Sequence, residues 1–152
     1  MSPGGFCPPG SRDMMIKKIH HIGFVVADLA GAEKKYRAGL SLSFEKILRM
    51  PEYFVDVGII RIGEILLEFI CPTSTQSRFS FFLKEHGEGF HHIAYEVPDI
   101  REAMKRIMES GVQPETMTPI RGIEGLICFV KPEFLGGVYT ELLELWGDPE
   151  QR

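Results

Sequence analysis

Two stretches half a chain apart carry one pattern. The first is Ile19-His20-His21-Ile22-Gly23-Phe24-Val25-Val26-Ala27-Asp28-Leu29; the second is Phe90-His91-His92-Ile93-Ala94-Tyr95-Glu96-Val97-Pro98-Asp99-Ile100. Each opens on a histidine pair, continues as a short apolar strand and ends at an Asp that precedes an amphipathic segment, a helix-cap signal. His21 and His92 lie 71 residues apart, and a second feature recurs nearly in step: Glu68 in Leu66-Leu67-Glu68-Phe69 and Glu141 in Tyr139-Thr140-Glu141-Leu142-Leu143, 73 residues apart. Self-similarity at a fixed period marks two copies of one supersecondary unit. The chain is therefore constrained to a paired architecture with two His and two Glu at matching places.

The first copy is readable from residue 16. Ile16 to Val26 alternates and is rich in β-branched residues, which predicts a strand with His21, Gly23 and Val25 on one face and His20, Ile22 and Phe24 on the other. Asp28 caps a helix running through Tyr36 and closed by Gly39. Strands follow at Leu42–Arg49, Phe54–Ile62 and Glu64–Cys71, giving the order βαβββ over residues 16–72. Residues 73–89 form a linker with a short helix at Gln76–His86. The second unit, residues 90–147, repeats the order: a strand Phe90–Val97, a helix capped by Asp99 and ended by Gly111, then strands Val112–Thr118, Leu126–Val130 and Val138–Leu145. Residues 1–15, with three Pro and three Gly before Met14, read as a mobile tail, and residues 148–152 as a short polar one. The fold class this predicts is α+β, two paired βαβββ units enclosing a cleft.

Composition excludes several functions. A net charge of −4 without a Lys/Arg cluster argues against a nucleic-acid surface. No apolar run approaches the roughly 20 residues of a membrane helix, and the first 14 residues lack the apolar region of a secretory signal. Cys7, Cys71 and Cys128 are too few and too scattered for a disulfide framework or a thiolate zinc site. These features predict a soluble cytoplasmic protein without nucleic-acid or membrane partners.

Imidazole nitrogen and carboxylate oxygen are ordinary ligands of divalent first-row metals, and two His plus two Glu leave positions open for water or substrate. A strand histidine is more often a structural residue. Here, however, Glu68 and Glu141 sit within apolar runs, where an unpartnered carboxylate is costly to bury. A metal supplies the partner. On the parity of their strands, His20 and His91 face away from such a site and read as structural or surface residues.

The same segments resemble the vicinal oxygen chelate superfamily of glyoxalases, bleomycin-resistance proteins and extradiol dioxygenases, and within it most resemble the methylmalonyl-CoA epimerases. The resemblance is carried by the first His-His strand through Asp28-Leu29, Leu67-Glu68-Phe69-Ile70-Cys71-Pro72, Gly87-Glu88-Gly89-Phe90-His91-His92-Ile93-Ala94-Tyr95-Glu96-Val97, and Gly136-Gly137-Val138-Tyr139-Thr140-Glu141-Leu142. It implies one divalent metal ion (Co, Ni, Zn or Mn) held by His21, Glu68, His92 and Glu141, and metal-assisted proton transfer next to a carbonyl through an enediolate. Met50-Pro51-Glu52 falls where these epimerases place a proton-shuttling glutamate, which implies catalytic roles for Glu52 and, opposite it, Glu141. Implied partners are a small-molecule substrate, an acyl-CoA or a thiol adduct, and a second copy of the chain in a homodimer. Departures from the epimerase pattern occur at Gly122-Ile123-Glu124-Gly125-Leu126 and Lys131-Pro132-Glu133, where basic or imidazole groups are replaced, and at the aromatic pair Tyr53-Phe54. The alternatives are a glyoxalase I-like lactoylglutathione lyase and a non-catalytic, resistance-type binding protein.

Overall fold

The structure, a computed structural model, describes residues 15–147. The expected tails at residues 1–14 and 148–152 lie outside the described residues. Met15, grouped with the first tail, packs with Ile16 against the core of the second unit. Eight strands form one curled mixed sheet: β1 (Lys18–Val25), β2 (Lys46–Met50), β3 (Val55–Ile62), β4 (Ile65–Pro72), β5 (Gly89–Glu96), β6 (Ile120–Arg121), β7 (Gly125–Val130) and β8 (Tyr139–Leu145). Helix α1 (Leu29–Leu40) follows β1, α2 (Arg78–His86) joins the halves, and α3 (Ile100–Glu109) follows β5. Short 3₁₀ turns occupy Pro51–Tyr53 and Pro132–Phe134.

The strand order, β2-β3-β4-β1-β5-β8-β7-β6, reads as two four-stranded halves joined at their first strands. Within each half the first and last strands run parallel, β1 beside β4 and β5 beside β8. The two halves meet where β1 and β5 pair antiparallel. The four strands bearing the repeated His and Glu therefore lie side by side at the centre of the sheet.

Alternation along these strands sorts side chains onto two faces. Phe69 on β4 joins Val26, Ala32 and Ile60 under α1, where Tyr36, Phe24 and Phe44 pack around it. Leu142 on β8 and Cys128 on β7 join Ile100, Ala103 and Met104 of α3. Each large apolar side chain withdrawn from water in these layers contributes about 1.5–3 kcal/mol. On the opposite face, Leu66 and Ile70 of β4 group with Met50, Val55, Val57 and Ile59. Helices thus cover the face that carries Phe69 and Leu142, which leaves the face with Glu68 and Glu141 to line a cavity.

Two local expectations are corrected. Gly39 lies inside α1, and the helix closes at Ser41 in the left-handed region (φ 56°), whose N–H reaches the Arg37 carbonyl. The segment Val112–Thr118 is not a strand: it makes a single bridge, Pro114 to Val130, and regular pairing begins only at Ile120. A proline has no N–H to give a ladder, so pairing stays local there.

Candidate metal centre

His21 on β1, Glu68 on β4, His92 on β5 and Glu141 on β8 converge across the junction of the two halves. Register explains the convergence: Gly23 of β1 lies opposite both Glu68 and His92, and Ala94 of β5 lies opposite Glu141. His21, His92 and Glu141 are buried. His21 Nε2 lies 3.0 Å from His92 Nε2 and 3.1 Å from Glu141 Oε2, and His92 Nε2 also lies 3.1 Å from that oxygen. Glu68 Oε2 stands 3.4 Å from His21 Nε2. Adjacent ligands bound about 2.0–2.2 Å from one ion are separated by roughly 3 Å. The His21, His92 and Glu141 donors already hold that spacing. Lone pairs of two imidazoles and a carboxylate aimed at one buried point repel unless a cation, proton or metal, lies among them, so the donor set fits a divalent ion.

The charges of the cluster follow from this convergence. Burial opposes a charge on His21, but Glu141, with help from Glu68 and Glu124, outweighs it and raises the imidazole to about 9. Burial alone would raise Glu141; His21 and His92 instead hold it well below the usual carboxylate range. Burial pushes Glu68 up to about 7 against the pull of His21. His92 is lowered, mainly by burial.

The sequence reading misplaced His20 and His91. Ile19 pairs with Tyr95 and His21 with Ala94, so His20 is an extra residue on β1; Gly23 pairs with His92 and Phe24 with Phe90, so His91 is an extra residue on β5. Both are β-bulges, which interrupt the simple alternation and re-aim side chains. Instead of facing away, each bulged ring meets its neighbour: His20 Nδ1 lies 2.8 Å from His21 Nδ1, and His91 Nδ1 lies 2.9 Å from His92 Nδ1. His20 Nε2 faces Glu124 Oε2 at 3.5 Å. Burial lowers His20 against the pull of Glu124, and burial together with His92 and Arg78 presses His91 down to about 3. The doubled His in both copies was the available signal.

A cavity of about 190 Å³ opens from the cluster. Its walls are apolar, with Leu48, Val57 and Ile70 from the first half and Ile127, Phe129 and Leu143 from the second. The arginines among its lining residues are Arg78 and Arg121. Arg78 binds Glu115 at 2.9 Å and lies 4.1 Å above the Phe129 ring, while Arg121 stacks over Trp146 at 4.7 Å. Glu52 is exposed on the 3₁₀ turn Pro51–Tyr53, between Met50 and Tyr53, which do line the cavity; Glu52 itself does not.

A curled sheet of paired βαβββ units with a His/Glu cluster at their junction defines a glyoxalase-like protein. The profile of the Glyoxalase/Bleomycin resistance protein/Dioxygenase superfamily matches residues 20–129, and the chain belongs to that superfamily. An uncharacterized protein of Bacillus subtilis is 31% identical over 134 residues, 88% of this chain and 96% of the relative. The ethylmalonyl-CoA/methylmalonyl-CoA epimerase of Cereibacter sphaeroides is 30% identical over 131 residues, 84% of this chain and 98% of the enzyme. A variant of Streptomyces coelicolor methylmalonyl-CoA epimerase, solved in complex with 2-nitronate-propionyl-CoA, superposes with a TM-score of 0.77 at 29% identity, covering 87% of this chain and 96% of that one.

Proposed function

We propose that the chain is a metal-dependent epimerase that inverts the carbon between the carboxylate and the thioester of a methylmalonyl-CoA-type substrate. The observation that carries this reading is the convergence of His21, His92 and Glu141 within 3.0–3.1 Å at the base of the cavity, in a chain whose relatives include epimerases of such acyl-CoAs. In this reading His21, Glu68, His92 and Glu141 hold one divalent ion of the cobalt, nickel, zinc or manganese type. When bound, that ion would act as a Lewis acid toward a carbonyl oxygen, easing loss of the neighbouring proton. The chain's own groups supply the rest. Arg78 and Arg121 give the cavity wall positive charge toward an anionic acyl group. The apolar walls exclude water around the reacting carbon, which strengthens each electrostatic contact there. In this reading Glu52, on a turn whose neighbours Met50 and Tyr53 line the cavity, serves as one proton-transfer carboxylate and Glu141 as the other.

Metal content of the purified wild type, His92→Ala and Glu141→Ala tests the site, and deuterium uptake at the α-carbon of methylmalonyl-CoA in heavy water tests the reaction. The expected result is about one metal per wild-type chain, loss of metal in both variants, and exchange that Glu52→Gln slows by roughly 10²–10⁴-fold without loss of metal. Metal without exchange would sink the substrate assignment and direct attention to thiol adducts of 2-oxoaldehydes. A wild type that takes up none of cobalt, nickel, manganese or zinc would remove the enzymatic reading altogether.

A further inference from the structure

We propose that the bulged histidines His20 and His91 are positioning residues that accept the Nδ1–H of His21 and His92, fixing both rings with Nε2 turned as an acceptor toward the cleft. The proposal rests on the metal reading for the direction of the two hydrogen bonds and on geometry for the ring pairs themselves. An Nδ1···Nδ1 contact of 2.8 or 2.9 Å needs one donor and one acceptor. An ion held by Nε2 of His21 and His92 leaves each of these neutral rings its one proton on Nδ1, so His20 and His91 must be the acceptors. On β1 Glu124 Oε2, 3.5 Å from His20 Nε2, favours the same arrangement, with the His20 proton on Nε2 and its Nδ1 free to accept. On β5 the same bulge recurs, and a packed cage takes the place of the carboxylate. The His91 ring stacks on Tyr139 (centroids 4.8 Å, planes 5° apart) and meets Phe79 and Phe82 edge-on at 5.0 and 4.8 Å. That packing holds His91 Nδ1 against His92 Nδ1.

Two bulges placed at matching residues on the two central strands give each imidazole of the cluster a neighbouring imidazole of its own. An outer partner that orients a ligating histidine is a general need of metal sites and is usually a carboxylate, a carbonyl or water. Here that partner is a second histidine. The assignment also gives a role to Glu124, which departs from the epimerase pattern: its carboxylate stands 3.5 Å beyond His20 Nε2 at the cavity wall, at the outer end of the series Glu124, His20, His21.

The test begins with the ring nitrogens of zinc-loaded, ¹⁵N-labelled wild type. His21 and His92 are expected in the Nδ1–H form, with N–N coupling across the hydrogen bonds to His20 and His91. An Nε2–H form at either residue would overturn the proposal. In a second arm, zinc affinity is measured by chelator competition. His20→Phe and His91→Phe, which fill the space without an acceptor, are expected to bind zinc 10–100-fold more weakly, and His20→Asn and His91→Asn, whose amide oxygen can replace Nδ1, to recover most of the loss. Phe variants that bind as tightly as wild type would also overturn it. If wild type binds no zinc, the metal reading and the stated hydrogen-bond direction fail together, while N–N coupling between the paired rings still decides the pairing itself.

Discussion

Gly23 shows how a single residue can set the geometry of the site. It lies on β1 opposite His92 on one side and Glu68 on the other, and a Cβ built at this position would stand 2.2 Å from His92 Cε1. No heavy atom fits there without moving the imidazole. Gly23→Ala should therefore tilt His92 out of the cluster, cost about 1–3 kcal/mol through overpacking, and weaken zinc binding at least tenfold. Chelator competition alongside thermal melting would check it; an unchanged affinity would show that the ring does not need this glycine. The four clustered positions were legible in the sequence because they repeat and because alternation put His21, Gly23 and Val25 on one face, where all three are buried. The demand on Gly23 was not legible, since it arises from cross-strand register between residues 69 positions apart.

At the scale of elements, the helices were readable from their caps and the bulges were not. Asp28 and Asp99 both cap as expected, accepting from Gly31 N at 2.9 Å and Glu102 N at 3.0 Å. A bulge adds one residue to one strand of a pair and leaves no composition signal of its own, so a strict period of two carried His20 and His91 to the wrong face. The failed strand at Val112–Thr118 has a similar cause: nothing in its residues revealed that pairing there would stop at the single Pro114–Val130 bridge. The cap of α3 allows a direct check of the readable part. Asp99 Oδ1 takes the Glu102 N–H, and Glu144 Oε2 takes the Ile100 N–H at 2.8 Å, so two of the free donors at the helix start are satisfied by side chains. Asp99→Ala is expected to lower stability by about 1 kcal/mol in urea denaturation, with the unfolding slope unchanged. Because α3 buries Ile100, Ala103 and Met104 against β7 and β8, this loss should appear in the global transition and not as local fraying.

Across the whole molecule, the duplication joins two halves through β1 and β5 and places the buried titrating groups at that seam, so the stability of the metal-free protein should follow their protons. Stability rises with pH wherever the unfolded chain holds more protons than the folded one. Below about 6.5, the unfolded chain protonates His20, His91 and His92, all of which the fold keeps lowered. Glu141, held low in the fold, adds to the loss as pH falls through the ordinary carboxylate value of 4.5. Glu68, raised to about 7, works the other way between 4.5 and 7, one proton against three. Stability therefore falls on the acid side of 6.5. Above it the sign reverses. His21, raised to about 9, keeps a proton that the unfolded chain has lost, so its contribution is complete below 6.5 and fades as pH rises to about 9. The metal-free melting temperature should consequently peak near pH 6.5, measured by calorimetry from pH 4 to 10. Saturating zinc takes the place of the His21 proton and should remove most of the decline between 6.5 and 9. A metal-free protein whose melting temperature climbed steadily from pH 6.5 to 9 would mean that His21 carries no extra proton in the fold and that the charge balance at the seam has the opposite sign.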